Sequence, residues 1–221
     1  MPEYTNKWNN YKVGEVPWIN NRKLHPHIGL FVRYAINNLD SIKHILEIGA
    51  GECIEAQKLK ELSSGKITYD ILDVSDTFLK YASSLGFNTS KGDMVKTGKN
   101  YKQYDMVYCC CILEHSPDIH RTIAELARIS KTFYLTLFKW KFKNGNLESE
   151  FHGKKRYYSS EFNLFHLMEL IKHYGKIDKK IMSIEKTGEY MELDDYIAKY
   201  STDVDLHRNR DYLSITGVWN G

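Results

Sequence analysis

The sequence predicts an α/β fold: a mostly parallel sheet with helices on both faces and an antiparallel hairpin at the C-terminal edge. Three observations predict it. From about residue 43, short apolar runs alternate with amphipathic stretches. Residues 104–110 form a near-continuous apolar run, as expected of a central parallel strand covered on both faces. The last two strand-like runs, 177–185 and 212–219, have no clear helix between them and so should pair antiparallel.

His44-Ile45-Leu46-Glu47-Ile48 reads as the first strand, broken by Gly49-Ala50-Gly51. A helix over 52–62 would carry Ala56, Leu59 and Leu62 on one face. Residues 67–72 read as the second strand, ending at Asp73. Ser75 suits an N-cap, Phe78, Ala82 and Leu85 recur at helical spacing, and Gly86 can close that helix. Residues 87–91 read as the third strand, and 96–103 are too polar and short for more than an abbreviated helix.

After the run at 104–110, Ser116-Pro117 predicts a helix start, with Ser as cap and Pro at the first helical position. Ile119, Ile123, Leu126 and Ala127 continue its apolar face. Residues 132–138, rich in β-branched and aromatic side chains, read as the fifth strand. A polar linker over 139–158 follows. Ser159 or Ser160 should then cap a helix with Leu164, Leu167, Met168 and Ile171 on its face, ending near Gly175. With 177–185 and 212–219 the sheet has seven strands, and the charged stretch 188–211 reads as a surface insertion with room for one short helix.

Composition narrows the function. The 221 residues suffice for one good core. A net charge of +3 is too mild to imply nucleic acid. The longest apolar run, 106–113, is far too short to span a bilayer, and the first ten residues lack an apolar signal core. Of the cysteines, Cys109, Cys110 and Cys111 are consecutive. Adjacent strand residues point to opposite faces, which makes a poor disulfide framework and a poor metal site. They read, with Cys53, as buried small apolar residues in a reducing compartment, so no metal is expected and a cytoplasmic location is.

Four motifs carry chemistry. Glu47-Ile48-Gly49-Ala50-Gly51 lies at a strand-to-helix turn, where glycines admit a ligand close to the backbone and the helix start offers N–H groups to an anion. The dinucleotide pattern G-x-G-x-x-G is incomplete, because Ile54 stands at its third glycine, and this argues against NAD and FAD. Asp73 follows Gly51 by 22 positions, close to the spacing of acids that bind ribose hydroxyls; capping a turn is its other reading. Gly92-Asp93-Met94 could meet an adenine, though Gly-Asp is also a common turn pair. Last, Cys111-Ile112-Leu113-Glu114-His115-Ser116-Pro117-Asp118 puts a polar cluster at the end of the central strand.

In this order and spacing, ILEIGAGEC, ILDVSDTFLKYA, GDM and YDMVYCCCILEHSPD resemble the successive motifs of class I S-adenosylmethionine-dependent methyltransferases, and LEH followed by Pro-Asp resembles the methyltransferase-11-like, small-molecule branch. The resemblance covers roughly residues 43–139 and implies a Rossmann-like seven-stranded sheet. S-adenosylmethionine would be the cofactor. Glu47, Gly49 and Gly51, with Ala50, would surround its methionine part; Asp73, with Val74, would bind ribose. Asp93 and Met94 would contact adenine, and Cys111 and Ile112 would line the pocket near the sulfonium. The chain would be one methyltransferase domain: an N-terminal arm or lid over 1–40, a cofactor-binding core over 41–140, and acceptor-side elements with the C-terminal strands over 141–221.

Trp8-x-x-Tyr11-x-x-Gly14-x-x-Pro17-Trp18 is similar to the leader of small-molecule methyltransferases of the thiopurine and tellurite-resistance groups, which folds over the cofactor; an arm docked by apolar anchors is the other reading. Methyl transfer needs alignment, exclusion of water and, for a protonated acceptor, a base. His115 is the candidate base, with orienting its loop as its other role. Trp18, His152, Tyr157 and Tyr158 are the candidate acceptor contacts. A small-molecule acceptor ranks above RNA, and both above protein; membrane is not expected, and the oligomeric state is left open.

Overall fold

A computed structural model describes residues 8–15, 26–138, 140–141, 151–152, 157–160, 162–184, 187–200 and 211–221. In chain order, helix α1 (Pro26–Asn37) precedes β1 (His44–Ile48), α2 (Ile54–Ser63), β2 (Thr68–Asp73), α3 (Asp76–Ser84) and β3 (Asn88–Lys91). Then come β4 (Tyr104–Cys110), a short 3-10 turn (Leu113–His115), α4 (Ile119–Ile129) and β5 (Ser130–Leu137). Short strands β6 (Trp140–Lys141), β7 (Phe151–His152), β8 (Tyr157–Tyr158) and β9 (Phe162–Asn163) lead to α5 (Leu164–Tyr174). The remainder is β10 (Gly175–Ser183), β11 (Tyr190–Glu192), α6 (Leu193–Tyr200) and β12 (Tyr212–Trp219).

Eight of these strands form one sheet, in the order β11-β10-β12-β5-β4-β1-β2-β3. Strands β1 to β5 pair parallel, while β12 pairs antiparallel to β5 and β10 antiparallel to β12. The expected C-terminal antiparallel pair is present. The insertion adds α6 and an eighth strand, β11, at the outer edge. The chain leaves β1 toward β2 and β3, then returns to β4 on β1's other side. That reversal is the switch point at which open α/β sheets bind ligands, outside the carboxyl ends of the strands.

Alternation along the strands builds a core on each face. Leu46, Ile48, Val107, Cys109, Phe133 and Leu135 pack with α4 and α5; Ile45, Tyr69, Ile71, Met106, Tyr108 and Cys110 pack with α1, α2 and α3. Helix α1 had no place in the periodicity reading, yet Phe31 and Ala35 on it are wholly buried. The Phe31 ring lies flat on Tyr108 at 3.6 Å between centroids.

Two helix starts differ from expectation. Helix α4 begins after Asp118, whose Oδ1 accepts from Arg121 N at 3.0 Å. Ser116 Oγ instead accepts from Asp118 N at 3.1 Å and bonds Thr122 Oγ1 at 2.8 Å, so the serine braces the turn before the helix. Helix α5 is capped by Asn163, which accepts from His166 N at 3.1 Å, not by Ser159 or Ser160. In both places a side-chain acceptor nearer the first turn reached the unpaired N–H groups first. Ser75 does precede α3, but its hydroxyl donates to Trp8 O at 3.1 Å.

Candidate functional site

Gly49 and Gly51 leave β1 with φ of 69° and 55°, the left-handed region that glycine enters without a Cβ penalty. Gly49 N donates to Leu72 O at 2.8 Å, which sets the loop at the end of β2. A Cβ on Gly49 would stand 2.8 Å from Ile112 Cγ2, so the tail of β4 lies directly against the loop. Ala50 is buried, and its carbonyl accepts from Cys53 N at 2.9 Å. Cys53, buried just before α2, also has a positive φ, 55°.

Glu47 is fully buried on the face covered by α2. Its Oε2 accepts from the Tyr69 hydroxyl at 2.9 Å, and the Tyr108 hydroxyl donates to buried Glu55 at 3.2 Å. Burial, with the Glu47 and Glu55 carboxylates near it, pushes the Tyr69 phenol well up, so that hydroxyl stays a donor. This polar cluster under the glycine loop escaped sequence reasoning. Tyr69, Glu55 and Tyr108 each look like ordinary strand or helix residues, and only the register Glu47–Tyr108 brings one of them to Glu47's flank.

Asp73 ends β2 with little exposure. It accepts backbone N–H groups from Ser75 at 2.9 Å and from Gly51 and Val74. Burial nevertheless raises its carboxyl to about 6, because loss of hydration outweighs those three donors. These bonds are those of the turn-capping reading of Asp73, and the same side chain keeps a poorly solvated carboxylate beside the glycine loop. Val74 next to it is half-buried. On the neighbouring turn, Gly92 N donates to Asp73 O at 3.1 Å, and Asp93 Oδ1 accepts from Val95 N at 3.0 Å. Met94 packs, half-buried, against the larger core cluster.

At the tail of β4, Cys111 has a φ of 56° and donates its N–H to Thr136 O at 2.8 Å. Cys109 and Cys110 point to opposite faces as expected, but Cys111 turns back to the face of Cys110. Glu114, which the sequence did not single out, is wholly buried. Its Oε1 accepts from Phe138 N at 2.7 Å and its carbonyl accepts from Ser160 N at 2.8 Å, so it ties the tails of β4 and β5 to the segment after β8. His115 Nδ1 bonds the Tyr158 carbonyl at 2.8 Å. A carbonyl only accepts, so Nδ1 carries the proton in that bond, and neutral imidazole keeps its lone pair on Nε2.

The arm 8–15 crosses this edge. Gly14 N donates to Glu52 Oε1 at 2.7 Å, Asp76 N to Asn9 Oδ1 at 3.0 Å, and Tyr11 and Val13 pack on Phe78. The Trp8 ring stands edge-on to His115 at 5.0 Å, with Phe138 at 6.2 Å on that ring. Of the candidate acceptor residues, Trp18 lies outside the described residues. His152 on β7 and Tyr157 on β8 are paired by backbone, and Tyr157 adjoins Tyr158, so all three belong to the two-stranded sheet whose Tyr158 carbonyl holds His115. A cleft of about 910 Å³ between α1 and α2 includes Glu52 and Ile54, and Glu47, Asp73 and Asp93 do not line it.

No helix among the described residues is long and apolar enough to cross a membrane. No curated protein matches the chain in sequence. In fold it is similar to an S-adenosylmethionine-dependent methyltransferase from Mesorhizobium loti, at TM-score 0.57 and 13% identity over 85% of this chain and 96% of that one. It is also similar to phosphoethanolamine N-methyltransferase 2 of Haemonchus contortus, solved with S-adenosylhomocysteine, at 0.61 and 12% over 99% of this chain and 61% of that one. The cyclase SpnF gives 0.64 and 14% over 93% and 84%. Residues 46–132, which hold the glycine loop, Asp73, Asp93 and the tail of β4, match the family described as Methyltransferase domain. These residues, 87 of the 221, carry the likeness to a methyltransferase domain, on a fold shared with solved methyltransferases.

Proposed function

We propose that the chain transfers a methyl group to a small-molecule acceptor in the cytoplasm. The bound cofactor supplies an activated methyl on a sulfonium. The chain's residues fit such a group: Asp73 offers a desolvated carboxylate that gains from two ribose hydroxyl donors, and the glycine loop lets a ligand approach the backbone with no Cβ at positions 49 and 51. Asp93 and Met94 take the adenine side, Ala50 and Val74 flank the loop and the ribose acid, and Glu47 holds the loop from beneath. Cys111 and Ile112 close the sulfonium side.

The observation that carries the small acceptor is the roof over His115. Trp8 and Phe138 flank its ring, and Tyr158 holds Nδ1, and this aromatic setting supports a small acceptor over a polymer. His115 takes the proton of an acceptor that binds protonated, and Trp8 excludes water. Trp18, His152, Tyr157 and Tyr158 are the proposed acceptor contacts.

Adding S-adenosylmethionine at about 100 times its Kd should stabilise the protein by about 2.7 kcal/mol, a rise in Tm of roughly 5–10 °C. No shift, with a clear shift from NAD, would overturn the cofactor assignment. Release of S-adenosylhomocysteine with a metabolite fraction, and none with RNA or protein fractions, is the expected result for the acceptor; the reverse pattern refutes the small molecule.

A further inference from the structure

The turn after β4 creates a constellation that strand geometry alone forbids. In a continuing strand Cys111 would face away from Cys110. Its φ of 56° returns the side chain to Cys110's face, and the two sulfurs stand 3.8 Å apart. A ring nitrogen of His27, on α1, completes a group whose three donor atoms all lie within 4.8 Å of one another. His27 is buried against Tyr212, at 4.2 Å between ring centroids, and Cys110 is buried beneath it. Left-handed φ is costly for a residue with a Cβ, and glycine would make the same turn without strain. The cysteine keeps a sulfur there.

We propose that His27, Cys110 and Cys111 bind one zinc ion and leave its fourth position open at the carboxyl end of β4. The donor set is the borderline-soft one zinc prefers. Bonds of about 2.3 Å at a tetrahedral angle place two zinc-bound sulfurs about 3.8 Å apart, the separation already present. Two thiolates and a neutral imidazole also cancel the ion's double charge, so the site can be buried without net charge. Three protein ligands with one open position is the arrangement of catalytic rather than structural zinc. Ile112, the next residue, covers Gly49 from the other core cluster, so the site lies one residue along the chain from the contact with the glycine loop. Binding converts both thiols to thiolates and releases two protons to solvent. The inference goes beyond methyl transfer and is tested without cofactor.

The full chain, freed of metal by chelation under a non-thiol reductant, is titrated with cobalt(II) as a spectroscopic stand-in. A sulfur-to-cobalt charge-transfer band and the strong visible bands of a tetrahedral ion should saturate at one ion per chain. Zinc should bleach them. Cys110→Ser and Cys111→Ser should each remove most of the charge-transfer intensity, and His27→Gln should weaken binding by at least about tenfold. Cys53→Ser, at the start of α2, should leave the spectrum unchanged. Metal-free Tm of each variant reports folding; should Cys110→Ser fail to fold, Cys111→Ser, half-exposed at the turn, decides the matter. No charge-transfer band in the wild type, or a band that survives Cys111→Ser, overturns the site.

Discussion

Lowering the pH should weaken cofactor binding through Asp73, and the size of the effect follows from its carboxyl. Burial raises that carboxyl from 3.8 to about 6 in the folded chain. One unit is about 1.4 kcal/mol, so the ionised form is disfavoured by roughly 3 kcal/mol relative to the unfolded chain. The ligand-free protein then holds this proton more tightly than the unfolded chain does. The stability it contributes is fully present below 3.8 and is lost as pH rises through about 6. Binding has the opposite sign. Two ribose hydroxyls need an acceptor-only carboxylate, and protonation removes part of that capacity. With a carboxyl at about 6, the Kd should rise about tenfold between pH 7 and pH 5. The assay is calorimetric titration with S-adenosylhomocysteine from pH 5 to pH 7, below the usual α-amino range of about 7.7–8.0, in two buffers of different ionisation enthalpy. About one proton should be released per ligand at pH 5 and almost none at pH 7. Asp73→Asn should weaken binding at pH 7 by about 1–3 kcal/mol and flatten the profile. A wild-type Kd that does not move between pH 5 and pH 7, or an equal slope in Asp73→Asn, would refute the reasoning.

Three further outcomes are expected. Gly217→Ala should cost at least about 3 kcal/mol, because its Cβ would overlap the Lys176 carbonyl oxygen and stand 2.6 Å from Phe133 Cζ; a fall in Tm under about 5 °C would contradict this. Glu114→Ala leaves the Phe138 N–H without its acceptor and should lower stability by about 1–3 kcal/mol in urea unfolding, while Glu114→Gln, which keeps an acceptor oxygen, should lose less; equal losses would show that the bond at 2.7 Å is not the cause. His115→Ala should lower kcat by about 100-fold or more with an acceptor that binds protonated, at little change in cofactor Kd, whereas a kcat within about twofold of wild type would leave His115 only the task of orienting its loop.

Period and breakers were enough for most of the sheet. The run 104–110 announced a strand covered on both faces because a buried parallel strand needs apolar residues at every position. The last strand pair was legible because the stretch between the two runs showed no clear helix, and the eight-residue α6 that it holds leaves the pair antiparallel. Helix α1 was not legible, since Phe31, Val32 and Ala35 face the sheet from a stretch whose other positions carry Arg33, Tyr34 and Asn37, and Pro26 marks its start with His25, not a Ser, Thr, Asp or Asn, before it. The starts of α4 and α5 moved because several side chains near each first turn can accept an N–H, and which one reaches it is settled by packing.

The site divides along the same line. The places of Gly49, Asp73 and Asp93 were legible because they rest on chain position, after strands where a parallel sheet opens. Glu114, Tyr69 and the His27–Cys110–Cys111 group were not, because each acts across contacts of long sequence separation. Cys111 shows the limit most directly. Alternation places it opposite Cys110 for as long as β4 continues, and the rule holds from Met106 to Cys110. The strand ends one residue earlier than the cysteine run does, and the N–H of Cys111 goes to Thr136 on β5. A backbone bond to a neighbouring strand therefore decides which face a sulfur occupies. Three identical letters become one core residue and a pair that faces the same histidine.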